Sequence, residues 1–319
     1  MQELRKIPSS SIFSVDIETV RITESFHDLS EEFQDAWSYK NKQNGEIPTL
    51  EELAELWVKT ASLYAEFAKI CAVSIAWADE DHNLHVREMA GEDELEILEA
   101  VHKSLTKIRE GSSNSLLVGH AAHYFDYPFI CKRLIINGMD LPLILDNVMK
   151  KPWDNKNLCT NDIWKMGGTG AGSSLQALCT ALNIPISKVD LVGDEVGRAY
   201  YQGQFEKIGR YCSYDAIATL NVVRKLKGED IFEFDQANYL GQIKKVPVLV
   251  RIYNASEISD EDRKELLEIL GKKKLTKKGK GILVDMLHQL SINSKMFESD
   301  KPEVVEEKLK VAEELIESL

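Results

Sequence analysis

Three short segments place acidic residues and one tyrosine in apolar surroundings. In "SIFSVDIETV" (11–20), Asp16 and Glu18 are two residues apart on a predicted strand, so both side chains point to the same side. In "HYFDYPF", Asp126 starts a predicted apolar helix. In "RYCSYDAI", Tyr211 and Asp215 are four residues apart and share one face of a predicted helix. Acids on three separate elements predict a convergent cluster.

The predicted cluster would bring four carboxylates into one small pocket. Like charges raise one another's pKa, so these groups cannot all stay ionised without a cation between them. Mg²⁺ and Mn²⁺ favour oxygen ligands and keep positions open for water and for substrate phosphate. Two such ions about 4 Å apart stabilise the attacking and the leaving oxygen of a phosphoryl displacement. The cluster therefore predicts hydrolysis of a phosphodiester.

The elements that must position these residues follow from hydrophobic periodicity. The predicted strands cover residues 11–17, 69–77, 83–89, 115–120 and 157–164. The predicted helices cover 49–67 with Thr49 as N-cap, 92–110, 124–137, 173–183 and 204–227. A polar, acidic stretch from about residue 23 to 53 carries no other predicted element. Strands that come first and then alternate with helices favour a mixed α/β sheet.

The pattern changes after about Glu229, so we predict a main domain over 1–229 and a small, mainly helical appendage over 230–319. The appendage holds an apolar run (246–253), a predicted helix (259–270), the lysine run "GKKKLTKKGKG" (271–281) and a closing helix (302–319). A solvated loop is the default interpretation of the lysine run, and contact with a nucleic-acid backbone is the alternative. We expect the closing helix to pack on the main domain, with docking to a replication or repair protein as the alternative.

The bulk composition narrows the class of protein. The chain has 319 residues, 44% of them hydrophobic, and a net charge of -13, which argues against a broadly basic surface for gripping duplex DNA. We find no signal peptide and no apolar run of roughly 20 residues that would span a membrane. Five widely spaced cysteines without a C-x-x-C pair predict reduced core thiols in a cytoplasmic protein, and neither a zinc site nor a disulfide framework.

The three motifs, in this order, resemble those of the DEDD superfamily of exonucleases. The matching residues are D-x-E at Asp16 and Glu18, F-D-x-P-F at 125–129, and Y-x-x-x-D at Tyr211 and Asp215. The tyrosine version of the third motif points to the DEDDy branch. Within that branch the chain resembles the predicted 3'-5' exonucleases related to the proofreading domain of family B DNA polymerases. The resemblance covers roughly residues 11–227 and implies a ribonuclease-H-like mixed sheet flanked by helices.

The resemblance also implies a role for each matching residue. Asp16 would bridge two metal ions, Glu18 and Asp215 would complete the site of the ion beside the nucleophile, and Asp126 would support the ion beside the leaving group. Tyr211 would orient the attacking water. The expected reaction removes nucleoside 5'-monophosphates from the 3' end of single-stranded or frayed DNA.

One position departs from the family pattern. Relatives usually carry Asn directly after the Gly-His of the second motif, whereas this chain has Ala121 in "GHAAHYFD". Because all four acids are retained, we expect changed substrate handling and retained activity.

Each motif also has a structural interpretation that does not involve catalysis. By itself, a D-x-E pair is usually a solvated strand edge, Asp126 would be a helix N-cap, and Tyr211 would be a core residue. Tyr214 is closer to Asp215 in the sequence than Tyr211 is. Because it directly precedes Asp215 on the helix, however, its side chain points to a different face.

Other residues suggest further sites. His120 and His123 would form a transition-metal pair only with a third nitrogen or sulfur ligand, and none follows at helical spacing. The glycine-rich "GGTGAG" (167–172) lacks the Gly-Lys-Ser/Thr ending of a phosphate loop, so we interpret it as a loop beside the substrate cleft. The nearby aromatics Phe125, Tyr127 and Trp153 would stack on a single strand, with Lys150 and Lys151 beside them, and core packing is the alternative for the aromatics.

Two alternative functions remain open from the sequence. One is a 3'-5' exoribonuclease, because the motifs are shared and the sugar contacts cannot be deduced from them. The other is a catalytically silent binding subunit of a replication or repair assembly, although such proteins typically lose a metal ligand and this chain keeps all four.

Overall fold

A computed structural model describes most of the N-terminal three quarters of the chain and parts of the remainder. The described residues are 1–43, 45–147, 150, 154–186, 191, 193–240, 252, 263, 264, 266, 267, 275–277, 279–281, 283, 284 and 302–318. Contacts divide the chain into two units, Met1–Ile243 and Lys244–Leu319. No helix within these described residues has both the length and the apolar character needed to cross a bilayer.

The first unit is built on one mixed sheet of six strands. The strands are β1 (Ile12–Arg21), β2 (Ala68–Ala78), β3 (Leu84–Ala90), β4 (Leu116–Gly119), β5 (Leu158–Cys159) and β6 (Asn238–Tyr239). Their spatial order is β5-β4-β1-β2-β3-β6. β1, β2 and β3 pair antiparallel, whereas β4 runs parallel to β1, β5 to β4, and β6 to β3. The long strand β1 is therefore central and pairs on both sides.

Helices cover both faces of this sheet. In the first unit they are α1 (Gln2–Lys6), α2 (Glu31–Lys40), α3 (Leu50–Thr60), α4 (Glu94–Gly111), α5 (Asp126–Ile136), α6 (Thr160–Trp164), α7 (Leu175–Leu182), α8 (Val196–Tyr201) and α9 (Phe205–Lys227). One hydrophobic cluster joins the sheet to α4 and α5, and a second joins it to α7 and α9. This is the predicted ribonuclease-H-like mixed α/β architecture.

Alternation along β1 separates apolar from acidic side chains. Val15 and Ile17 belong to the cluster on the α4 and α5 side of the sheet. Because side chains of neighbouring strand residues point to opposite faces, Asp16 and Glu18 point to the other face, where α9 packs. This segment of β1 thus buries Val15 and Ile17 on one face of the sheet and directs Asp16 and Glu18 toward α9 on the other.

Most predicted elements are present, with the predicted N-cap at α3. The Thr49 hydroxyl accepts from the Glu52 N–H while the Glu52 carboxylate accepts from the Thr49 N–H at 2.8 Å, which is a capping box. The strand predicted over 157–164 is wrong over most of its length, because only Leu158–Cys159 pair with β4 and α6 follows directly.

The polar stretch after β1 contains a helix that the sequence analysis did not predict. α2 buries Trp37 against Trp57 of α3, with ring centroids 5.2 Å apart and perpendicular planes, and against Phe67 at 5.1 Å. The Trp37 indole also donates to the Leu53 carbonyl at 3.1 Å. Trp37 is 20 residues from Trp57 and 30 from Phe67, so the contacts that stabilise α2 are not visible in its local sequence pattern.

The boundary between the units lies later than the predicted one after Glu229. β6 pairs with β3, and the Phe232 N–H donates to the side chain of Asn221 in α9 at 2.8 Å. Residues up to 240 therefore continue the sheet and core of the first unit.

The described part of the second unit has its own apolar cluster. Ala312 and Ile316 of α10 (Pro302–Ser318) are buried with Ile252, Leu266 and Leu283. The closing helix thus contributes to the apolar cluster of its own unit, and its expected packing on the main domain stays a prediction. Within the lysine run, Lys280 lies 4.0 Å from the Glu317 carboxylate of α10. The described residues include little of the predicted apolar run (246–253) or of the predicted helix (259–270).

A buried ion pair ties α4, α5 and β2 together. The Arg133 guanidinium donates to both oxygens of Glu94, at 2.8 and 2.5 Å, and to the Ala65 carbonyl at 2.8 Å. Glu94 also accepts from the Ile70 N–H at 2.7 Å. Because Asp126 is the first residue of the helix that carries Arg133, this ion pair holds the element that delivers Asp126 to the sheet.

Replacing Glu94 with Gln should strongly destabilise the first unit. Breaking a buried pair leaves the Arg133 charge uncompensated, so the free energy of unfolding should fall by roughly 3–5 kcal/mol. Urea denaturation followed by circular dichroism measures this loss. Glu99→Gln, on an exposed position of the same helix, is the matched control and should change stability by no more than about 0.5 kcal/mol. Equal midpoints for the two variants would contradict the assigned role of the pair.

Candidate active site

β1 and α9 bring three of the predicted carboxylates together. Oxygen atoms of Asp16, Glu18 and Asp215 all lie within 4.8 Å of one another. β1 supplies the first two from one face of the strand, and the third comes from the middle of α9. The cluster predicted from strand and helix periodicity thus exists as a spatial group.

Tyr211 lies in the same group, one helical turn before Asp215. Its hydroxyl hydrogen-bonds the Asp215 carboxylate, which lowers the pKa of that carboxyl against the raising effect of burial. Tyr214 points elsewhere, since its ring packs on Phe234 with centroids 4.4 Å apart. The sequence analysis therefore chose the correct tyrosine to share a face with Asp215.

Asp126 approaches from α5 and is only 5% exposed. It does not belong to the group of three within 4.8 Å, but its charge raises the pKa of both Asp16 and Glu18. The N-cap alternative for Asp126 is wrong, because Phe125 is the N-cap and Asp126 is the first helical residue. The structure thus brings all four acids to one region, with Asp126 slightly apart from the other three.

The electrostatics of the group are those of crowded, partly dehydrated acids. Burial, followed by the charge of Asp215, raises the pKa of Asp16 and of Glu18 well above the usual range. Burial also raises the pKa of Asp126 to about 7 and that of Asp215 to about 6. Such shifts mean that, in the absence of a cation, the group of acids retains protons near neutral pH.

The donor set fits divalent cations. Among the described residues, no lysine, arginine or histidine forms an ion pair with any of the four acids. In the same part of the chain, Asp16 Oδ2 is buried without a hydrogen-bond partner. Buried carboxylates need pairing or a metal ion, and an all-oxygen set suits Mg²⁺ or Mn²⁺. These residues are therefore suited to hold such an ion.

Comparison with known families adds an independent finding. Residues 61–261 match a family described as "Predicted 3'-5' exonuclease related to the exonuclease domain of PolB". The chain belongs to this family. The family resemblance stated from the motifs is thereby confirmed, and nuclease activity is what the family description predicts. A search of curated proteins finds no match.

The matched range contains Asp126, Tyr211 and Asp215 but begins after β1. The place of Asp16 and Glu18 in the group therefore rests on the geometry of this chain. The match also runs past the predicted domain boundary at Glu229, consistent with the contribution of β6 to the sheet.

The family motif at 119–126 forms a tight connection between β4 and α5. A Cβ atom on Gly119 would lie 2.3 Å from the Ala122 Cβ, so only glycine fits there. Ala121 has a φ of 60°, a left-handed conformation that Asn adopts more readily than Ala. An Asn at this position, which the family resemblance leads us to expect, would therefore suit the backbone as well as supply an amide.

Two thiols that the sequence analysis treated only as core residues touch the acidic strand. Cys212 donates to the Asp16 carbonyl at 3.3 Å, and Cys71 donates to the Glu18 carbonyl at 3.4 Å. Cys71 is the extra residue of a β-bulge, since Glu18 pairs with Ala72 and Thr19 with Ile70. Bulges redirect side chains next to functional sites, but they leave no signal in residue type. All five cysteines are free, as predicted.

A polar network joins α9 to β2 and β3, beside the acidic group. The Ser213 hydroxyl donates to the buried Glu88 carboxylate of β3 at 2.7 Å and lies 3.0 Å from the Ser74 hydroxyl of β2. Because Ser213 lies between Tyr211 and Asp215, these bonds hold the rotation of α9 that directs both residues toward β1. The sequence analysis missed this network because small serines in an apolar helix resemble ordinary packing residues.

The other candidate sites take structural roles. His120 lies 2.9 Å from the Thr160 hydroxyl and 2.8 Å from the Ser173 carbonyl, so neither of its nitrogens is free to form a metal pair with His123. The Ser173 N–H donates to Asn161 at 3.1 Å, which ties down the end of the glycine-rich loop. That loop follows α6 and not a strand, so the phosphate-loop interpretation is not supported.

The aromatic residues near Asp126 are mainly part of the core. Tyr127 is 4% exposed and donates to the Leu158 carbonyl at 3.2 Å. Phe125 is partly buried against Phe129, with ring centroids 5.3 Å apart. Stacking on a nucleic acid is therefore wrong for Tyr127. Lys150 is exposed, and Lys151 and Trp153 lie outside the described residues.

The raised pKa values predict how metal binding and stability change with pH. A carboxyl with a higher pKa in the folded chain holds its proton more tightly there, so the metal-free protein should lose stability between pH about 4 and about 7. In EDTA at pH 8, Asp16→Asn should therefore raise the melting temperature, and Mn²⁺ should stabilise the parent but not this variant.

Differential scanning calorimetry checks this prediction in the presence and absence of Mn²⁺. Asp35→Asn, on an exposed position of α2, is the matched control and should behave as the parent. If Asp16→Asn were destabilising in EDTA at pH 8, mutual repulsion would not be the dominant force among these acids.

Proposed function

We propose that the protein is a metal-dependent 3'-5' exonuclease. Its substrate would be single-stranded or frayed DNA, from which it releases nucleoside 5'-monophosphates. The single observation that carries this proposal is the group of Asp16, Glu18 and Asp215 within 4.8 Å, with the buried Asp126 close enough to act on it. Membership in a family of predicted 3'-5' exonucleases supports the reaction class.

In this proposal the four acids have the roles that the family resemblance implies. Asp16, which feels the charges of all three other acids, would contribute to both ion positions. Glu18 and Asp215 would complete the position beside the nucleophile, and Asp126, which stands apart from that group, would serve the position beside the leaving group. When bound, two divalent ions would stabilise negative charge on the attacking and leaving oxygens.

Tyr211 would position the attacking water. Burial, followed by the charge of Asp215, raises the pKa of its hydroxyl well above the usual range, so the phenol stays protonated at neutral pH. The neutral hydroxyl donates a hydrogen bond to the Asp215 carboxylate, and its oxygen still has lone pairs to accept a hydrogen bond from water. Orientation of a water by a fixed hydroxyl matches the role that the resemblance implies.

Loss of Asp16 should abolish the nuclease. With Mg²⁺ or Mn²⁺, the purified protein should shorten a 5'-labelled DNA oligonucleotide stepwise, whereas Asp16→Ala should reduce the rate by at least about 10³-fold, because a central metal ligand is missing. Denaturing gels follow the ladder, and chromatography identifies the mononucleotide products.

Asp35→Ala, the exposed position used above, is the matched control and should retain the parent rate. A matched RNA strand and an oligonucleotide blocked at its 3' end complete the experiment. Faster digestion of the RNA would replace DNA by RNA as the substrate, and digestion of the blocked strand would exclude a 3'-end reaction. Unchanged activity in Asp16→Ala would refute the proposed site.

Tyr211→Phe should lower kcat by about 10²-fold with little change in KM, because a group that positions a proton or water in the transition state contributes about that much. Tyr214→Phe is the control, since the same hydroxyl is removed from the same helix on a different face. Single-turnover kinetics on the DNA oligonucleotide measure both variants. Equal rates for the two would show that the Tyr211 hydroxyl has no part in the chemistry.

A further inference from the structure

His123 is held between two oxygen atoms on the segment that follows β4. Its Nε2 lies 3.0 Å from the Asn157 carbonyl, and its Nδ1 lies 3.0 Å from Oδ2 of Asp162. A carbonyl only accepts, so Nε2 carries the hydrogen. Nδ1 then faces a carboxylate oxygen, which also only accepts when ionised. A cation, either a proton or a metal ion, must therefore lie between Nδ1 and Asp162.

A thiol completes the surroundings of that position. Cys159, at the end of β5, is buried, and a ligand atom from each of His123, Cys159 and Asp162 lies within 4.8 Å of the others. Lys165 and Tyr124 donate to the other carboxylate oxygen, Oδ1, at 3.1 and 3.3 Å. Oδ2 is the oxygen that faces His123, and the Cys159 thiol hydrogen-bonds the same carboxylate.

The outer contacts of His123 are those of a metal ligand. A histidine that binds a metal through one nitrogen usually donates its other N–H to a carbonyl or carboxylate, which sets the tautomer and the ring orientation. The Asn157 carbonyl does this for His123, and Asn157 is itself anchored, since its side chain accepts from the Leu117 N–H at 3.0 Å and donates to the Ile144 carbonyl at 2.8 Å.

We propose that His123, Cys159 and Asp162 form a Zn²⁺ site that is separate from the acidic group. Nitrogen, sulfur and oxygen donors are the set that zinc prefers, and a water would fill the fourth tetrahedral position. Ligand atoms of such a site are about 3.3–3.6 Å apart, given Zn–N and Zn–S distances of about 2.0–2.3 Å. Shifts of roughly 1 Å within the 4.8 Å group would reach this geometry.

The site would add a metal link between two segments that already pack side by side through the pairing of β4 with β5. His123 belongs to the turn before α5, three residues from Asp126, whereas Cys159 and Asp162 belong to β5 and α6. Zinc binding displaces the proton of the Cys159 thiol and the one on His123 Nδ1 to solvent, so no other reactant is needed. A bound ion would hold the turn that leads into α5.

Cobalt is the probe that separates this site from the carboxylates. The full chain carrying Asp16→Asn and Asp215→Asn lacks two acids of the other group, so its result is independent of whether the protein is a nuclease. Titration with Co²⁺ should produce a thiolate-to-cobalt charge-transfer band in the near ultraviolet that saturates at one ion per chain, and Zn²⁺ should displace the cobalt. No band, as expected if a proton occupies the position, would overturn the proposal.

Three further substitutions in that background test the ligands. Cys159→Ser should abolish the band, whereas Cys179→Ser, which removes a buried thiol from α7, should leave it unchanged. His123→Gln, at a partly exposed side chain that is safer for folding, should weaken Zn²⁺ affinity by more than about 10-fold, because outer-shell changes alone cost that much. A band that survives Cys159→Ser, or an unchanged affinity in His123→Gln, would overturn the assignment.

Discussion

The repulsion among four carboxylates is the constraint on which the rest of this structure depends. Asp16 carries the greatest part of it, because the charges of Asp215, Asp126 and Glu18 all raise its pKa and one of its oxygens is buried without a hydrogen-bond partner among the described residues. Buried carboxylates that no arginine or lysine pairs with lower the free energy of unfolding. Protons retained by the carboxyls offset part of this repulsion, and the divalent ions proposed above would offset it further.

Much of the first unit serves to hold this unfavourable group together. On one side of β1, Val15 and Ile17 bury apolar surface against α4 and α5. On the other, the bonds of Ser213 to Glu88 and Ser74 hold α9 to the sheet. The Glu94–Arg133 pair secures α5 from the far end of the helix. Hydrophobic burial and satisfied polar contacts around the group thus offset the repulsion within it.

The region before α5 shows the same principle with a different donor set. There, an imidazole, a thiol and a carboxylate converge, and the arrangement of acceptors around His123 again requires a positive charge. The two groups differ in chemistry, since an all-oxygen set favours hard ions such as Mg²⁺, whereas nitrogen and sulfur donors favour zinc. Neighbouring positions in one fold can therefore discriminate between cations without sharing a ligand.

The sequence by itself determined the acids, the tyrosine and the type of the main elements, because strand and helix periods decide which side chains share a face. Asp16 with Glu18, and Tyr211 with Asp215, are pairs of this local kind. Only the tertiary structure decided the rest: the aromatic core of α2 and α3, the bulge at Cys71, the place of β6 in the sheet and the meeting of His123 with Cys159. These contacts join residues far apart in the chain, and strand and helix periodicity do not indicate which distant residues will pack together.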